Sequence, residues 1–233
     1  MNKIAIIPAR GGSKGIKNKN IIDVMGKPLI AYTIEPAIKA MEDGLIKDVM
    51  VSTDSEEVAE IARELGANIP CLRPASIAGD KAKTPDAILH MVEYCQSMGI
   101  EMDSVMLLQP TAPLRTYEDI RASVELYDGN SAQSLISCYL DETMAATIMY
   151  RLEGGIAIPL SENHNKGVRR QDHEKLYIRN GAIYITAMSY LKANRRVISE
   201  NPLMYQMPKS RSVNLDTKED LRLLLAMMQI GIH

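Results

Sequence analysis

Short apolar runs alternate with amphipathic segments along the first half of the chain. The first run, residues 4–7, is rich in Ile, has the length of a buried strand and stops at Pro8. Periodicity and capping residues predict further strands at 48–52, 68–72, 104–109 and 133–139, and helices at 29–41, 54–65, 84–97 and 117–127. This alternation predicts an α/β fold with an open, mainly parallel sheet and helices on both faces.

Residues 141–176 interrupt the alternation, because they contain no clear long helix. Two short apolar pieces, 147–151 and 156–160, flank Gly154 and Gly155 and are followed by a polar stretch. We predict a hairpin and then a long loop. A loop of this length inside a compact domain is usually functional or an interaction element.

Strand-like patterns resume after this insertion, at residues 181–186 and 203–207. The final helix is predicted to begin at Thr217 and to present an apolar stripe to the core. Apolar residues make up 46% of the 233 positions, which is ordinary for a protein with a substantial core. The chain is therefore predicted to be one domain, residues 1–233, with a small inserted element at 141–176.

Charge and cysteine content narrow the function classes. A net charge of −2 gives no overall field that would draw the protein to nucleic acid or a membrane surface. The three cysteines are an odd number without metal-ligand spacing, which indicates reduced thiols. No leader pattern opens the chain, and no apolar run approaches the ~18 residues of a membrane span. We expect a cytoplasmic protein that binds neither nucleic acid nor membrane.

A glycine-rich cationic loop follows the first predicted strand. Gly11, Gly12 and Gly15 allow several backbone N–H groups to turn toward one point, which makes an anion-binding concavity. The basic residues around it are Arg10, Lys14, Lys17 and Lys19. Directly after a strand, such a loop predicts a nucleotide triphosphate site. The alternative is a surface turn with solvated lysines, and for Lys17 that alternative is favoured.

Two common phosphate-binding patterns do not fit this loop. The ATPase P-loop requires G-x-x-x-x-G-K-[ST], but Ile16 follows Gly15 here. The dinucleotide fingerprint requires G-x-G-x-x-G, and Gly12 to Gly15 matches only its second half. A dinucleotide-dependent oxidoreductase therefore stays open as the alternative from another class, and a catalytically silent binding protein is a third.

Four candidate segments each follow a predicted strand. They are residues 10–19, 53–54, 73–84 and 109–115. In an open α/β sheet, ligands bind at the carboxyl ends of the strands. We therefore expect these segments to meet at one edge of the sheet.

Four motifs are spread over nearly the whole chain: IPARGGSKGIKNKN (7–20), LQPTAPLR (108–115), RNGAIYI (179–185) and LDTKEDL (215–221). In this order they resemble the acylneuraminate cytidylyltransferases, the CMP–sialic acid synthetases. The resemblance implies a Rossmann-like nucleotidyltransferase fold. It also implies transfer of CMP from CTP to the anomeric hydroxyl of a nine-carbon 2-keto sugar acid, such as sialic or legionaminic acid, with release of pyrophosphate. Activation of 3-deoxy-manno-octulosonate or of a hexose 1-phosphate is the close alternative.

The resemblance also implies which residues bind the nucleotide. The implied triphosphate contacts are Arg10, Gly12, Ser13, Lys14, Lys19 and Asn20, and the implied base contacts are Arg73, Ala82 and Thr84. An arginine donor beside a carbonyl acceptor can distinguish cytosine from uracil. Two alternatives stay open: Arg73 as part of a surface ion pair, and Thr84 as a plain helix N-cap.

A metal site is implied at the start of the last helix. Asp216 matches the second aspartate of the family's D-x-D element, but Asn214 occupies the first position. Asparagine can bind a hard cation through its carbonyl oxygen and carries no charge. We expect Mg²⁺ or Mn²⁺ at Asp216 and Asn214, with Arg10, Lys19 and Asp216 as the catalytic set. The alternative role of Asp216 is to lead into the helix.

The resemblance places the acceptor contacts at Gln109, Arg170, Gln171, Asn180 and Tyr184. Arginine pairs well with the planar carboxylate of a sugar acid, whereas Tyr184 could instead be a half-buried strand residue. In the family the insertion packs against a second subunit, so residues 141–176 imply a homodimer with acceptor sites near the interface. The partners expected are therefore CTP, a nonulosonic acid and a second copy of the chain, and the identity of the acid stays open.

Overall fold

The computed structural model describes residues 2–12, 15–79, 82–167, 169 and 173–232. Its strands are β1 (Lys3–Pro8), β2 (Asp23–Val24), β3 (Lys27–Pro28), β4 (Asp48–Ser52), β5 (Ser104–Leu107), β6 (Ser134–Leu140), β7 (Tyr150–Glu153), β8 (Ile156–Pro159), β9 (Tyr177–Ala187) and β10 (Leu203–Gln206). Its α-helices are α1 (Ala31–Glu42), α2 (Glu56–Glu64), α3 (Thr84–Ser97), α4 (Tyr117–Asp128), α5 (Met188–Asn194) and α6 (Lys218–Gln229).

The central sheet has six strands in the order β10-β6-β9-β5-β1-β4. Strand β1 pairs in parallel with β4 and β5, and β10 pairs in parallel with β6. Only β9, among these six, runs antiparallel to its neighbours β5 and β6. The prediction of an open, mainly parallel sheet is confirmed. The start of β9 consequently lies at the same edge as the carboxyl ends of the other strands.

Apolar residues fill the space on both faces of the sheet, as expected for strands buried on two sides. Along β1, Ala5 and Ile7 face one core, which also contains residues of α1, α2 and α4. Ile4 and Ile6 face the opposite core, which contains residues of α3 and α5. The predicted helices on both faces are therefore confirmed. Leu224 and Met228 of α6 belong to a third cluster, beside the glycine-rich loop.

Several predicted boundaries agree with the structure and others are wrong. Strand β4 has the predicted bounds, but the strand predicted at 68–72 is reduced to a single bridge between Asn68 and Met50. The N-cap of α2 is Ser55 rather than Asp54, since the Ser55 hydroxyl accepts from the Val58 N–H. The β2–β3 hairpin and α5 had no counterpart in the prediction.

The inserted element forms the predicted hairpin. Strands β7 and β8 pair with each other in a two-stranded sheet, joined by Gly154 and Gly155 at φ of +55° and +85°. Its side chains include exposed apolar residues, such as Leu152 with 77% of its surface accessible. None of the helices in the described part of the chain has both the length and the apolarity needed to cross a bilayer.

Candidate active site

A cleft of about 480 Å³ lies at the carboxyl edge of the sheet. Its volume is in the range of small-molecule sites. The predicted site residues that line it are Arg10, Lys19, Asn20, Arg73, Ala82, Thr84, Gln109, Asn214 and Asp216. The expectation that segments following different strands meet at one edge is therefore confirmed. Ser13, Lys14, Arg170 and Gln171 lie outside the described residues.

The glycine-rich loop is attached to its surroundings at both ends. The Asn20 side chain is buried and donates from Nδ2 to the Arg10 carbonyl oxygen at 2.9 Å. The Gly11 N–H donates to Asp54 Oδ1 at 2.9 Å. Asn20 therefore supports the loop backbone from within the cleft. Asp54, the first residue of the helix predicted over 54–65, instead links the loops after β1 and β4.

The surrounding atoms require glycine at position 15 but not at position 12. A Cβ atom on Gly15 would lie 2.2 Å from the Asp216 carbonyl oxygen, so only glycine permits the loop to approach the Asp216 backbone this closely. A Cβ atom on Gly12 would meet nothing within 4 Å. Gly12 is exposed and does not line the cleft, so its predicted contact with the triphosphate stays a prediction.

Lys19, Asp216 and Asn214 form one connected group. Lys19 Nζ donates to Asp216 Oδ1 and to the Leu215 carbonyl oxygen, both at 2.8 Å. Asn214 Nδ2 donates to Asp216 Oδ2, also at 2.8 Å. The Lys19 side chain is 14% exposed and that of Asp216 is 60% exposed. The predicted phosphate-binding cation and the predicted metal ligand are therefore in direct contact.

The oxygen atoms at this point fit a hard divalent cation. Asp216 offers carboxylate oxygens and Asn214 an amide oxygen, and Mg²⁺ is commonly held by one or two carboxylates together with substrate phosphates. Within the described ranges, no group of three or more His, Cys, Asp or Glu side chains could form a metal cage by itself. The residues fit a cation that is shared with a bound triphosphate.

Arg73 is buried, with 7% of its surface exposed. Its Nε donates to Ser52 Oγ at 3.1 Å and its Nη2 to the Ser52 carbonyl oxygen at 2.5 Å. Burial lowers the pKa of the Arg73 guanidinium, the Arg10 cation acts in the same direction, and the Asp54 carboxylate opposes both. The surface ion pair considered as an alternative is therefore wrong, and Arg73 is a fixed cation in the wall of the cleft.

The start of α3 also differs from the prediction. Lys83 is the N-cap residue and Thr84 is the first residue of the helix, so Thr84 is not the N-cap. Just before it, the Ala82 N–H donates to the Gly79 carbonyl oxygen at 2.9 Å. Lys83 lines the cleft and was missed by the sequence reasoning. Its position between Ala82 and Thr84 was the signal that could have identified it.

Gln109 lines the cleft and lies beside the middle of β9. Gly181 there has a φ of +75°, and a Cβ atom on it would lie 2.5 Å from Gln109 Oε1. The positive φ favours glycine here, and a side chain at this position would also displace the Gln109 amide from its observed place. This contact places a predicted acceptor residue at the boundary between β5 and β9.

Asn180 and Tyr184 are not among the residues that line the cleft. Asn180 Nδ2 donates to Ser212 Oγ at 2.9 Å, and its Oδ1 accepts from Ser137 Oγ at 2.6 Å and from the Ala182 N–H at 3.2 Å. Tyr184 is buried in the core beside α3, and this burial raises the pKa of its hydroxyl. Both side chains are engaged within the chain, and their direct contact with an acceptor stays a prediction.

Comparison with known proteins gives full-length matches. The family model described as "Cytidylyltransferase" matches residues 4–227. A pseudaminic acid cytidylyltransferase from Campylobacter jejuni is 33% identical over 222 residues, which is 95% of this chain and 94% of the relative. A CMP-N,N'-diacetyllegionaminic acid synthase from Legionella pneumophila is 33% identical over 235 residues, 99% of this chain and 98% of the relative.

Two further matches add a third substrate name and a solved fold. An N-acylneuraminate cytidylyltransferase from Streptococcus agalactiae is 34% identical over 94% of this chain, which corresponds to 52% of that longer relative. The structure of a CMP:2-keto-3-deoxy-manno-octonic acid synthetase complexed with CTP superposes with a TM-score of 0.73 over 99% of both chains. At 16% identity this neighbour shows the fold alone. The chain therefore belongs to the cytidylyltransferase family, and the resemblance drawn from its four sequence motifs is confirmed.

Proposed function

We propose that this protein transfers CMP from CTP to the anomeric hydroxyl of a nine-carbon 2-keto sugar acid and releases pyrophosphate. The acceptor class includes sialic, legionaminic and pseudaminic acids. The observation that carries the proposal is the cleft itself, in which Lys19 of the glycine-rich loop contacts Asp216 and which the buried Arg73 also lines. Relatives that match nearly all of this chain are named for these three acids, which supports the substrate class.

In this reaction the anomeric oxygen forms a bond to the α-phosphorus of CTP. The bond from that phosphorus to the oxygen bridging the β-phosphate breaks, pyrophosphate leaves, and the hydroxyl proton is released. No enzyme nucleophile is required, so the contribution of the protein is positioning and charge stabilisation. Arg10 and Lys19, which both line the cleft, are proposed to hold the triphosphate and the leaving pyrophosphate.

Base selection is assigned to Arg73 and the backbone near Ala82. Arg73 is held in place by Ser52, so its guanidinium is pre-organised rather than free to swing toward either pyrimidine. A site that hydrogen-bonds one base edge leaves its own polar groups unpaired with the wrong base. We therefore expect turnover with CTP to exceed turnover with UTP strongly, and equal rates would contradict this role of Arg73.

Mg²⁺, or Mn²⁺ in its place, is proposed to be held by Asp216 and Asn214 together with the substrate phosphates. When bound, the cation would neutralise charge on the α-phosphate. Lys19 would then hold the Asp216 carboxylate from the side of the loop. The single negative charge of this pair predicts weak metal affinity when no nucleotide is bound.

A homodimer is proposed on the basis of the inserted hairpin. Its exposed apolar side chains are Ile148, Tyr150, Leu152, Ile156 and Leu160. Exposed apolar patches of this kind mark interaction sites, and a second copy of the chain would cover them. A cytoplasmic location is proposed because Cys71, Cys95 and Cys138 are free thiols.

The decisive experiment measures pyrophosphate release from CTP and Mg²⁺ with a panel of acceptors. The panel contains sialic, legionaminic and pseudaminic acids, 3-deoxy-manno-octulosonate and a hexose 1-phosphate, with a reaction lacking acceptor as the control. We expect release only with a nine-carbon acid, and mass spectrometry should identify the CMP-sugar product. Faster release with the eight-carbon acid or the hexose 1-phosphate would overturn the proposed acceptor class.

A further inference from the structure

The segment between β10 and α6, residues 207–216, contacts several of the elements around the site, and we call it the strap. Upstream, the Lys209 ammonium donates to Asp141, where the insertion begins, at 2.9 Å. In its middle, Ser212 Oγ accepts from Asn180 of β9. Downstream it ends in Asn214 and Asp216, at the cleft. The position of these last two residues depends on how the strap is held.

The firmest attachment of the strap is the pair formed by Arg211 and Asp119. Asp119 is 1% exposed, and its carboxylate already serves the N-terminal cap of α4 by accepting from the Thr116 N–H at 2.9 Å. It also accepts from the Tyr205 hydroxyl at 3.0 Å. Arg211 donates from both terminal nitrogens, with Nη2 at 2.9 Å from Oδ1 and Nη1 in contact with Oδ2. This two-pronged geometry fixes direction as well as distance.

The same guanidinium also holds the loop that precedes α4. Arg211 Nη1 donates to the Leu114 carbonyl oxygen at 3.3 Å. Four residues further along the strap, the Leu215 N–H donates to the Thr111 carbonyl oxygen at 2.7 Å. The strap therefore lies on residues 109–115 at two points, and Gln109 and Thr111 of this loop line the cleft. Arg211 itself is not among the residues that line the cleft.

A second buried arginine supports the loop from inside but is a less complete anchor. Arg115 Nη1 donates to the carbonyl oxygens of Gln109 and Ala112, at 3.4 and 3.2 Å. Its Nε and Nη2 meet no acceptor among the described residues. Arg211, with a carboxylate and a carbonyl as partners, is therefore the anchor that ties the strap to the loop.

We propose that Arg211 is a positioning residue: anchored on Asp119 and Leu114, it fixes the strap so that Asn214 and Asp216 are held at the cleft. The inference rests on the proposed function, because it assigns to Asp216 the role of metal ligand. Lys19 then holds the Asp216 carboxylate from the loop side, and Arg211 holds the middle of the strap that leads to it. Outer residues that orient a metal ligand typically change affinity or activity about 10- to 100-fold when they are replaced.

The test compares Arg211→Lys and Arg211→Gln with two controls. Lysine keeps the charge but cannot make the two-pronged contact. The glutamine variant is the second test of the same position, for the case in which the lysine variant does not fold. Tyr205→Phe removes another hydrogen bond to Asp119 without releasing the strap. Arg222→Lys makes the same chemical change at an exposed position on α6.

Three measurements are made on each variant. Hydrogen exchange by mass spectrometry reports on the strap, in particular on the Leu215 amide. Electron paramagnetic resonance of Mn²⁺ in the presence of CTP reports metal affinity without turnover. Steady-state kinetics separate kcat from the KM for CTP. For the Arg211 variants we expect faster hydrogen exchange in the strap, weaker Mn²⁺ binding and a kcat lowered about 10- to 100-fold, with the KM for CTP close to that of wild type. For the two control variants we expect all of these quantities to stay close to their wild-type values.

Unchanged exchange in the strap would overturn the proposal, and so would faster exchange with unchanged Mn²⁺ binding and kcat. A purely structural role would lower stability in the Arg211 and Tyr205 variants alike and would not separate them in Mn²⁺ affinity. Inactivity of the wild type toward every acceptor would instead overturn the proposed function. Exchange and Mn²⁺ binding would still decide the role of Arg211, because neither depends on turnover.

Discussion

On the nucleotide side of the cleft, Arg10 and Lys19 follow β1 and Arg73 lies between α2 and α3, whereas the predicted acceptor residues follow β5, lie within β9 or belong to the insertion. The first group, including Arg10, Lys19 and Arg73, lines the cleft. On the second side, Gln109 lines the cleft, while Asn180 is saturated by hydrogen bonds within the chain. One side is thus made of loops that present groups to a ligand, and the other depends on a supporting network that joins distant parts of the sequence.

Under the proposed function, this difference separates the groups that would bind CTP from those that would bind the sugar acid. In the proposed function, CTP would meet loops that follow parallel strands. The predicted acceptor side would be formed by an antiparallel strand, the insertion and the strap, so its geometry would depend on several contacts at once. Changes on the nucleotide side should therefore affect chemistry with little effect on folding, and changes on the acceptor side should mix the two.

The largest effect is expected at Asp216, where the two sides meet. It is the one carboxylate among the described residues that line the cleft. Asp216→Asn should nearly abolish turnover at any practical Mg²⁺ concentration. Asn214→Asp should remain active and lower the Mg²⁺ needed for half-maximal rate, because it adds charge beside the cation. The measurement is a Mg²⁺ titration at saturating CTP, with Glu219→Gln on the exposed face of α6 as the control.

Full activity of Asp216→Asn with an unchanged Mg²⁺ dependence would mean that this pair is not the metal site. Asp216 would then only lead into α6, whose cap is formed by Thr217 and Asp220.

The next largest effect is expected in the glycine-rich loop. Lys19→Ala or Arg10→Ala should lower kcat by about 10²- to 10³-fold while the protein stays folded, since each removes a donor that stabilises charge in the transition state. Lys17→Ala is the matched control, because Lys17 is exposed and does not line the cleft. Turnover and the circular dichroism melting curve are measured for all three variants. A folded Lys19→Ala enzyme with near-normal turnover would contradict the phosphate-binding role.

The same contrast explains how much the sequence alone could predict. Strand β4 was predicted at its observed bounds because its apolar run is short, uninterrupted and bounded by polar residues. The cap of α2 was assigned to the wrong one of two adjacent residues that can both cap a helix. Asp54 is engaged by the Gly11 N–H from another loop, which local pattern cannot show. Local sequence patterns thus predicted the strands and loops on the nucleotide side of the cleft. The hydrogen bonds between these loops depend on long-range contacts, which local patterns do not show.

The acceptor side was less predictable for a physical reason. Asn180 was assigned to the acceptor by resemblance, but its partners Ser137 and Ser212 lie 43 and 32 residues away along the chain. The Arg211–Asp119 pair spans 92 residues, so no pattern of periodicity or spacing indicates it. Contacts of this kind appear only once the strands have their order in the sheet.

A smaller effect should show whether Asn180 stabilises the fold or contacts the sugar acid directly. Asn180→Ala should lower the free energy of unfolding by about 1–3 kcal/mol, because it removes the oxygen that accepts from the buried Ser137 hydroxyl and the Ala182 N–H. Gln109→Ala should leave that free energy nearly unchanged and raise the KM for the sugar acid. Urea unfolding and acceptor kinetics measure the two quantities. If Asn180→Ala keeps its stability and changes only the acceptor KM, then Asn180 is a direct contact rather than a support.

The smallest effect concerns Asp141, at the root of the insertion. Its carboxylate accepts from the Thr143 hydroxyl at 2.5 Å, the Lys209 ammonium at 2.9 Å and the Thr143 N–H at 2.9 Å. These hydrogen bonds, that of the Thr143 hydroxyl first, lower the pKa of Asp141 from its ordinary 3.8 to about 2. Because the pKa is depressed in the folded state, the stabilisation is fully present above the unfolded-state pKa of about 3.9. It is lost as the pH falls through the folded-state pKa of about 2.

Asp141→Asn should therefore lower the melting temperature slightly at neutral pH, where the carboxylate is charged in wild type. The difference from wild type should narrow as the pH is lowered from about 4 toward 2, since protonation removes the same charge from the wild-type protein. Melting curves over this pH series measure it, with Glu162→Gln on the exposed part of the insertion as the control. A difference that stays constant across the series would mean that the geometry of the Thr143 hydrogen bonds, and not the charge shared with Lys209, holds the insertion to the strap.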